Sequence, residues 1–179
     1  MDGKGLVLAA KDFAEKVHAG QMRGGKIAFP AINHMREVAG LVEWAGGDFT
    51  EIAAAWLHDT VEDTSTTLVE IKTIFGPAVA SIVDGLTDPT YFATLPFLLR
   101  KIRQADRIFT MGDSVKLVKI SDQISNVVSI TSDAPVEWDG RRCIDYCVGA
   151  FAIARICAGV SPCLDEYFLK VFSRTMVHL

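Results

Sequence analysis

Asp48-Phe49-Thr50-Glu51-Ile52-Ala53-Ala54-Ala55-Trp56-Leu57-His58-Asp59-Thr60-Val61-Glu62-Asp63-Thr64 starts as an apolar helix and ends in a cluster of charge. Asp48 and Glu51 have the spacing of a capping box, in which each side chain takes a backbone N–H that a helix start leaves unpaired. The Ala, Ile, Trp and Leu residues that follow predict a buried helix ending near His58-Asp59. His58, Asp59, Glu62 and Asp63 then bring four ionisable groups into six residues. Charge taken out of water is costly unless it meets a partner, a metal or water. Imidazole nitrogen beside carboxylate oxygen is a donor set suited to manganese, iron or zinc. Helical spacing puts Glu62 one turn above His58 and Asp63 one turn above Asp59. An acid just beyond metal ligands is placed for general acid–base work. The histidine–aspartate pair alone is a weak signal, met more often without a metal than with one.

Outward from this stretch the period stays helical. Leu6, Ala9, Ala10, Phe13, Ala14 and Val17 form one buried face, and Gly20 stops that helix. Gln21 to Asn33 is a loop with Gly24, Gly25 and Pro30. Asn33 is the candidate N-cap of a second helix ending at Gly46-Gly47. Thr67 and Glu70 repeat the capping-box spacing; Gly76 closes that helix and Pro77 opens the next, which ends near Gly85. Thr87 to Thr94 is a loop. Helices are expected over Pro96–Met111, Ser114–Ser132, Pro135–Ala158 and from Ser161-Pro162 to the end. The alternation of a half-buried strand is largely missing, so the fold class is all-α. With 179 residues, no linker and no repeat, one domain over 1–179 is expected.

Half of the residues are hydrophobic, yet no apolar run of about 18 residues exists, so no membrane span is indicated. No secretory leader is evident at the N-terminus, and a cytoplasmic protein is expected. The net charge of −4 argues against a general nucleic-acid binder. An anionic small substrate then requires local positive charge, for which Arg23, Lys26, Arg100, Lys101, Lys116, Lys119, Arg141 and Arg142 are candidates. Cys143, Cys147, Cys157 and Cys163 include no CxxC pair and read as reduced, packed thiols. The sequence leaves the oligomeric state open.

Two distant groups can complete a metal site: His34, at the start of the second helix, and Asp122, within Lys119-Ile120-Ser121-Asp122-Gln123 on an otherwise apolar helix. Asn126 shares a face with Asp122 and could orient a ligand or substrate. Either residue alone has an ordinary explanation, Asp122 as a solvated or locally capped group. The order His34, His58-Asp59, Asp122, joined to Glu62-Asp63, is more specific. His18 is expected to cap the first helix and His178 to lie in a terminal tail.

That order resembles the HD phosphohydrolase superfamily. The flanks narrow the resemblance to the hydrolase domain of RelA/SpoT-type enzymes, in particular the single-domain small alarmone hydrolases also found in animals. The similar segments are His18-Ala19-Gly20-Gln21 with Arg23; Ile32-Asn33-His34; Leu57 to Thr64; Glu70-Ile71 with Phe75-Gly76; Val83-Asp84-Gly85-Leu86-Thr87; Arg100-Lys101 with Gln104; Lys116 to Asp122 with Asn126; and Trp138 with Arg142 and Tyr146. They span roughly residues 9–150, with a further C-terminal helix over 161–178.

The resemblance implies a helical bundle binding one divalent metal, usually manganese, through His34, His58, Asp59 and Asp122. It implies Glu62 and Asp63 as the catalytic acidic pair, a metal-activated water as nucleophile, and release of the 3′-pyrophosphate from a purine alarmone of guanosine or adenosine. No room remains for a synthetase domain, so a hydrolase alone is expected. Arg23 would stack on the purine, with Asn126, Arg142 and Tyr146 as further substrate contacts. On sequence alone Arg23 is equally an exposed loop arginine, and Arg142 with Tyr146 a helix-surface pair.

Three positions depart from the family pattern. Gly24 stands where a second basic residue is usual after Arg23, with Lys26 as the compensating candidate. Phe97 replaces a phosphate-contacting lysine of animal-type relatives, and Met35 replaces a proline. The first two remove positive charge where a polyphosphate would sit. They motivate two alternatives: a nucleotide 3′- or 2′-phosphatase that releases orthophosphate, for example from a phosphorylated dinucleotide cofactor, and a catalytically silent nucleotide-binding module.

Overall fold

The computed structural model describes residues 2–179, and among them helices follow one another without a sheet. In order they are α1 (Gly3–Val17), α2 (Ile32–Trp44), α3 (Phe49–Leu57), α4 (Thr60–Asp63), α5 (Leu68–Phe75), α6 (Pro77–Leu86), a 3₁₀ turn (Thr90–Thr94), α7 (Phe97–Phe109), α8 (Asp113–Asp133), α9 (Gly140–Cys157) and α10 (Pro162–His178). The all-α expectation holds, and no helix is long and apolar enough to cross a membrane among the described residues.

Packing follows from the apolar faces. The alanine run of α3 is fully buried: Ala53, Ala54 and Ala55 have no exposed surface. Small side chains let α1, α2 and α6 all approach α3 closely. On the other side α8 packs against α2, α9 and α10, and α7 lies on α9. The core thus joins α2, the end of α3 and α8, which between them position the expected metal ligands. The cysteines are unpaired thiols, three of them buried.

Local signals placed most boundaries. Both capping boxes form: Asp48 Oδ1 accepts from the Thr50 and Glu51 N–H groups at 2.8 and 2.9 Å, and Thr67 pairs with Glu70 in the same way. Gly20 and Gly76 take positive φ, +79° and +89°, a conformation in which a Cβ is strained. Other boundaries differ. Asn33 is not the N-cap of α2; the helix starts at Ile32 because Pro30 and Ala31 already accept from the Asn33 and His34 N–H groups at 3.1 and 3.0 Å. The ninth helix starts at Gly140, not Pro135: residues 135–138 close a separate turn (Trp138 N–H to Pro135 O, 2.9 Å), and Asp139 then caps α9. The loop expected over 87–94 contains the 3₁₀ turn. His178 belongs to α10, its Nδ1 donating to the Arg174 carbonyl at 2.7 Å.

The 21–33 segment is more than a simple loop. It folds back on itself with an isolated antiparallel bridge between Met22 and Pro30. Arg23 N–H donates to Phe29 O at 2.8 Å, and the Ile27 and Ala28 N–H groups donate to the Asp133 carboxylate. This pins the segment to the end of α8 and holds Arg23 over the site.

Candidate metal centre and cleft

The helical run breaks for one turn between α3 and α4, at His58-Asp59. There the two side chains leave the alanine face and meet His34 from α2 and Asp122 from α8. His34 Nε2 lies 3.1 Å from His58 Nε2, 3.6 Å from Asp59 Oδ2 and 3.3 Å from Asp122 Oδ1. His58 Nε2 lies 3.2 Å from Asp59 Oδ1 and 4.0 Å from Asp122 Oδ1. Donor atoms of His34, His58 and Asp59 all fall within 4.8 Å of one another. Asp122 sits beside both histidines at the rim of that group.

Hydrogen bonds to the far sides of the rings fix what faces inward. His58 Nδ1 donates to the Ala55 carbonyl at 2.8 Å, a bond that requires the proton on Nδ1 and leaves a lone pair on Nε2. His34 Nδ1 donates to Ser125 Oγ at 2.8 Å, and that hydroxyl donates onward to Glu37 Oε2 at 2.7 Å. Burial pushes the His34 pKa down, against the opposing pull of Asp122, which favours the neutral ring. Two imidazole lone pairs and two carboxylate oxygens therefore point at one small volume. Such a set repels itself unless a cation stands in the middle, and nitrogen with oxygen donors suits a divalent transition metal. Ring nitrogens tied back to a carbonyl or a hydroxyl are the usual outer support of a metal-ligating histidine.

Asp122 is also held from behind. Burial disfavours its charge, but the Lys119 ammonium, 3.0 Å from Oδ2, prevails and keeps the carboxyl well below the usual carboxylate range. Gln123 Nε2 donates to Oδ2 at 2.8 Å, and Asn126 Nδ2 donates to Oδ1. Asn126 Oδ1 in turn accepts from Arg23 at 2.6 Å. The expected metal ligand, its amide and the loop arginine form one chain.

Glu62 and Asp63 stand on the open side, both exposed. Glu62 Oε1 accepts from the Asp88 N–H at 2.6 Å, and Gln104 donates to the Asp88 carboxylate. Crowding by protein on its inner side pushes the Glu62 pKa up to about 7; the Asp88 N–H opposes this and the Asp59 charge adds to it. Asp63 is raised for the same reasons, partial desolvation first and Asp59 second. Gln21 Nε2 holds the Asp63 carbonyl at 2.9 Å, and its Oε1 meets the Nδ1 of buried His18 at 2.7 Å. His18 thus caps α1 as expected and also braces the acidic turn.

A cleft of about 790 Å³ opens beside the centre, lined among others by Arg23, His34, Asp63, Asn126, Trp138 and Tyr146. That size suits a small molecule. Most expected contacts come together here; two do not line it. Lys26 is exposed at the tip of the 21–33 segment. Arg142 lies with its guanidinium 3.7 Å above the Phe97 ring and 5.4 Å from that of Trp138. Sequence reasoning gave no role to Ser125, Glu37 or Asp88. Glu37 follows His34 by one turn, which was a usable signal; the Asp88 contribution is a backbone N–H and leaves no mark on residue type.

Residues 10–139 match the HD domain family. Curated guanosine-3′,5′-bis(diphosphate) 3′-pyrophosphohydrolases named MESH1 are similar over nearly the whole chain. The Mus musculus protein is 34% identical over 168 residues, 93% of this chain and 92% of its own length. The Homo sapiens protein is 34% identical over 94% of this chain and 93% of its own. Among solved structures, one described as a metazoan ortholog of SpoT that hydrolyzes ppGpp superposes with a TM-score of 0.86 at 25% identity, covering 94% of both chains. With its paired histidines and aspartates gathered at one centre, the chain belongs to the HD-domain family, on its MESH1-like branch.

Proposed function

We propose that this chain is a divalent-metal-dependent hydrolase that removes the 3′-pyrophosphate from a purine alarmone, guanosine or adenosine tetra- or pentaphosphate. Residues 1–179 act as one domain, and manganese is the working ion. The observation that carries this reading is the inward convergence of His34, His58, Asp59 and Asp122 beside an acidic pair, in a chain similar along its length to pyrophosphohydrolases of that specificity.

A divalent ion held by those four residues supplies Lewis acidity to a phosphoryl oxygen and acidifies water. The chain supplies the rest. Glu62, fixed through Oε1 by Asp88 and with its pKa near 7, takes the proton from the attacking water, since a base works best when its pKa lies close to the working pH. The new P–O bond forms as the bond from phosphorus to the ribose 3′-oxygen breaks. Asp63, its pKa raised, returns a proton to that leaving oxygen, giving a 3′-hydroxyl and pyrophosphate. Arg23, held by Asn126, presents its guanidinium plane to the purine. Tyr146 walls the cleft, and Arg142 and Lys26 add positive potential at its mouth.

Purified protein with manganese and guanosine tetraphosphate is expected to release pyrophosphate and guanosine 5′-diphosphate, separable by ion-exchange chromatography. Orthophosphate without pyrophosphate would reject the proposal in favour of a nucleotide phosphatase. No product from any purine 3′-phosphate would favour a silent binding module.

A further inference from the structure

One cation near the centre has no protein counter-ion. Lys101, on α7, is only 8% exposed, yet among the described residues its ammonium takes part in no ion pair or hydrogen bond. Nζ sits 4.4 Å from the centroid of the Tyr146 ring, the same ring that walls the cleft. Lys119, a half-buried lysine of the same region, is by contrast paired with Asp122. The fold makes room for the Lys101 stem: a Cβ at position 149 would fall 2.6 Å from Lys101 Cγ, so Gly149 on α9 is the seat on which the lysine lies.

An unpaired ammonium largely withdrawn from water opposes folding, and a π face returns only a small part of that cost. Neighbouring groups leave it short of compensation. Burial first, and then the Lys119 charge, pull the Lys101 pKa down to about 8, against Asp122 and Asp88. Lys101 does not itself line the cleft, but the Tyr146 ring beneath it does, so an anion seated against that ring would supply the missing partner.

Arg142 repeats the theme. Its guanidinium rests on Phe97, Phe97 stacks on Tyr146 with centroids 6.1 Å apart, and among the described residues Arg142 makes no ion pair. The Phe97–Trp138–Tyr146 cluster thus carries a cation on two sides, held by ring faces instead of carboxylates. A phenyl group at 97 removes one positive charge but leaves these two unneutralised.

We propose that Lys101 is a phosphate-binding residue of this enzyme, receiving a phosphoryl oxygen of the substrate's 3′-pyrophosphate over the Tyr146 ring, with Arg142 on the Phe97 face as the second cation of the same subsite. The proposal rests on the pyrophosphohydrolase reading above and adds a residue to it.

The test uses metal-loaded protein at fixed free manganese and inorganic pyrophosphate as the probe, read by calorimetry, with steady-state kinetics on guanosine tetraphosphate alongside. Lys101→Met, which keeps the stem, and Lys101→Gln, which keeps a polar end, are both expected to weaken pyrophosphate binding by about tenfold to a hundredfold, the worth of a charge-assisted contact. KM should rise by more than kcat falls. Lys101→Met should melt no lower than the parent, because it removes an unpaired buried charge. Unchanged pyrophosphate affinity in both variants would overturn the proposal, as would failure of both to fold, which would make the lysine structural. If the variants lose pyrophosphate binding while the parent hydrolyses no alarmone, the anion subsite stands and the proposed activity falls.

Discussion

Replacing His58 by alanine is expected to abolish turnover while leaving most of the fold intact. His58 ends the buried alanine helix, but its Nε2 points at His34, Asp59 and Asp122, and only Nδ1 is bonded to the scaffold, at the Ala55 carbonyl. Loss of one preorganised electrostatic group in an active site costs about 10²–10³ in rate. Loss of a cation that four groups serve should exceed that. A strong chelator should have the same effect on the parent protein, and manganese should restore the parent but not the variant. The check is initial rate at saturating substrate, with a thermal melt to show that the variant folds. Near-parental rates in His58→Ala would remove the metal mechanism.

Glu62→Gln is the second large effect. The amide keeps the shape and can still accept the Asp88 N–H, but it cannot take a proton. Loss of a general base costs about 10²–10⁴ in kcat. The same residue sets a pH dependence. Its pKa is raised by partial desolvation and by Asp59 and Asp88, and lowered by the Asp88 N–H and Lys119. A carboxyl with a raised pKa is protonated and inactive as a base at low pH, so kcat should climb as pH rises through about 7; the bound cation moves that limb down. In Glu62→Gln this limb should flatten. A variant that keeps the limb and the rate would transfer the proton to another group, Asp63 first.

Much of the centre was legible in the sequence because each ligand sits on, or directly at the end of, a helix whose face is set by its apolar period. The capping box at Asp48 fixed the phase of α3, and that phase delivered His58 and Asp59 to one end. Asp122 stood out as a charge on the buried face of α8, and 5% exposure confirms the anomaly. What was not legible depends on pairings between distant helices. Nothing local says that α7 lies on α9, so neither the unpaired state of Lys101 nor the placement of Arg142 on Phe97 could be read. Phe97 looked like a lost charge; the structure shows it as a platform for one. The start of α9 was misplaced because Pro135 is a good first residue for a helix, while Asp139, four residues later, provides the actual cap. Asn33 failed as a cap for the opposite reason: the fold-back from Gln21 to Pro30 had already begun the first turn.

The most direct measurement is a manganese titration followed by electron paramagnetic resonance of the free ion. The parent protein should remove one ion per chain from solution, and His34→Ala, His58→Ala and Asp122→Ala should each abolish tight binding. Unaltered uptake in all three variants, or no uptake in the parent, would contradict the assignment of this centre.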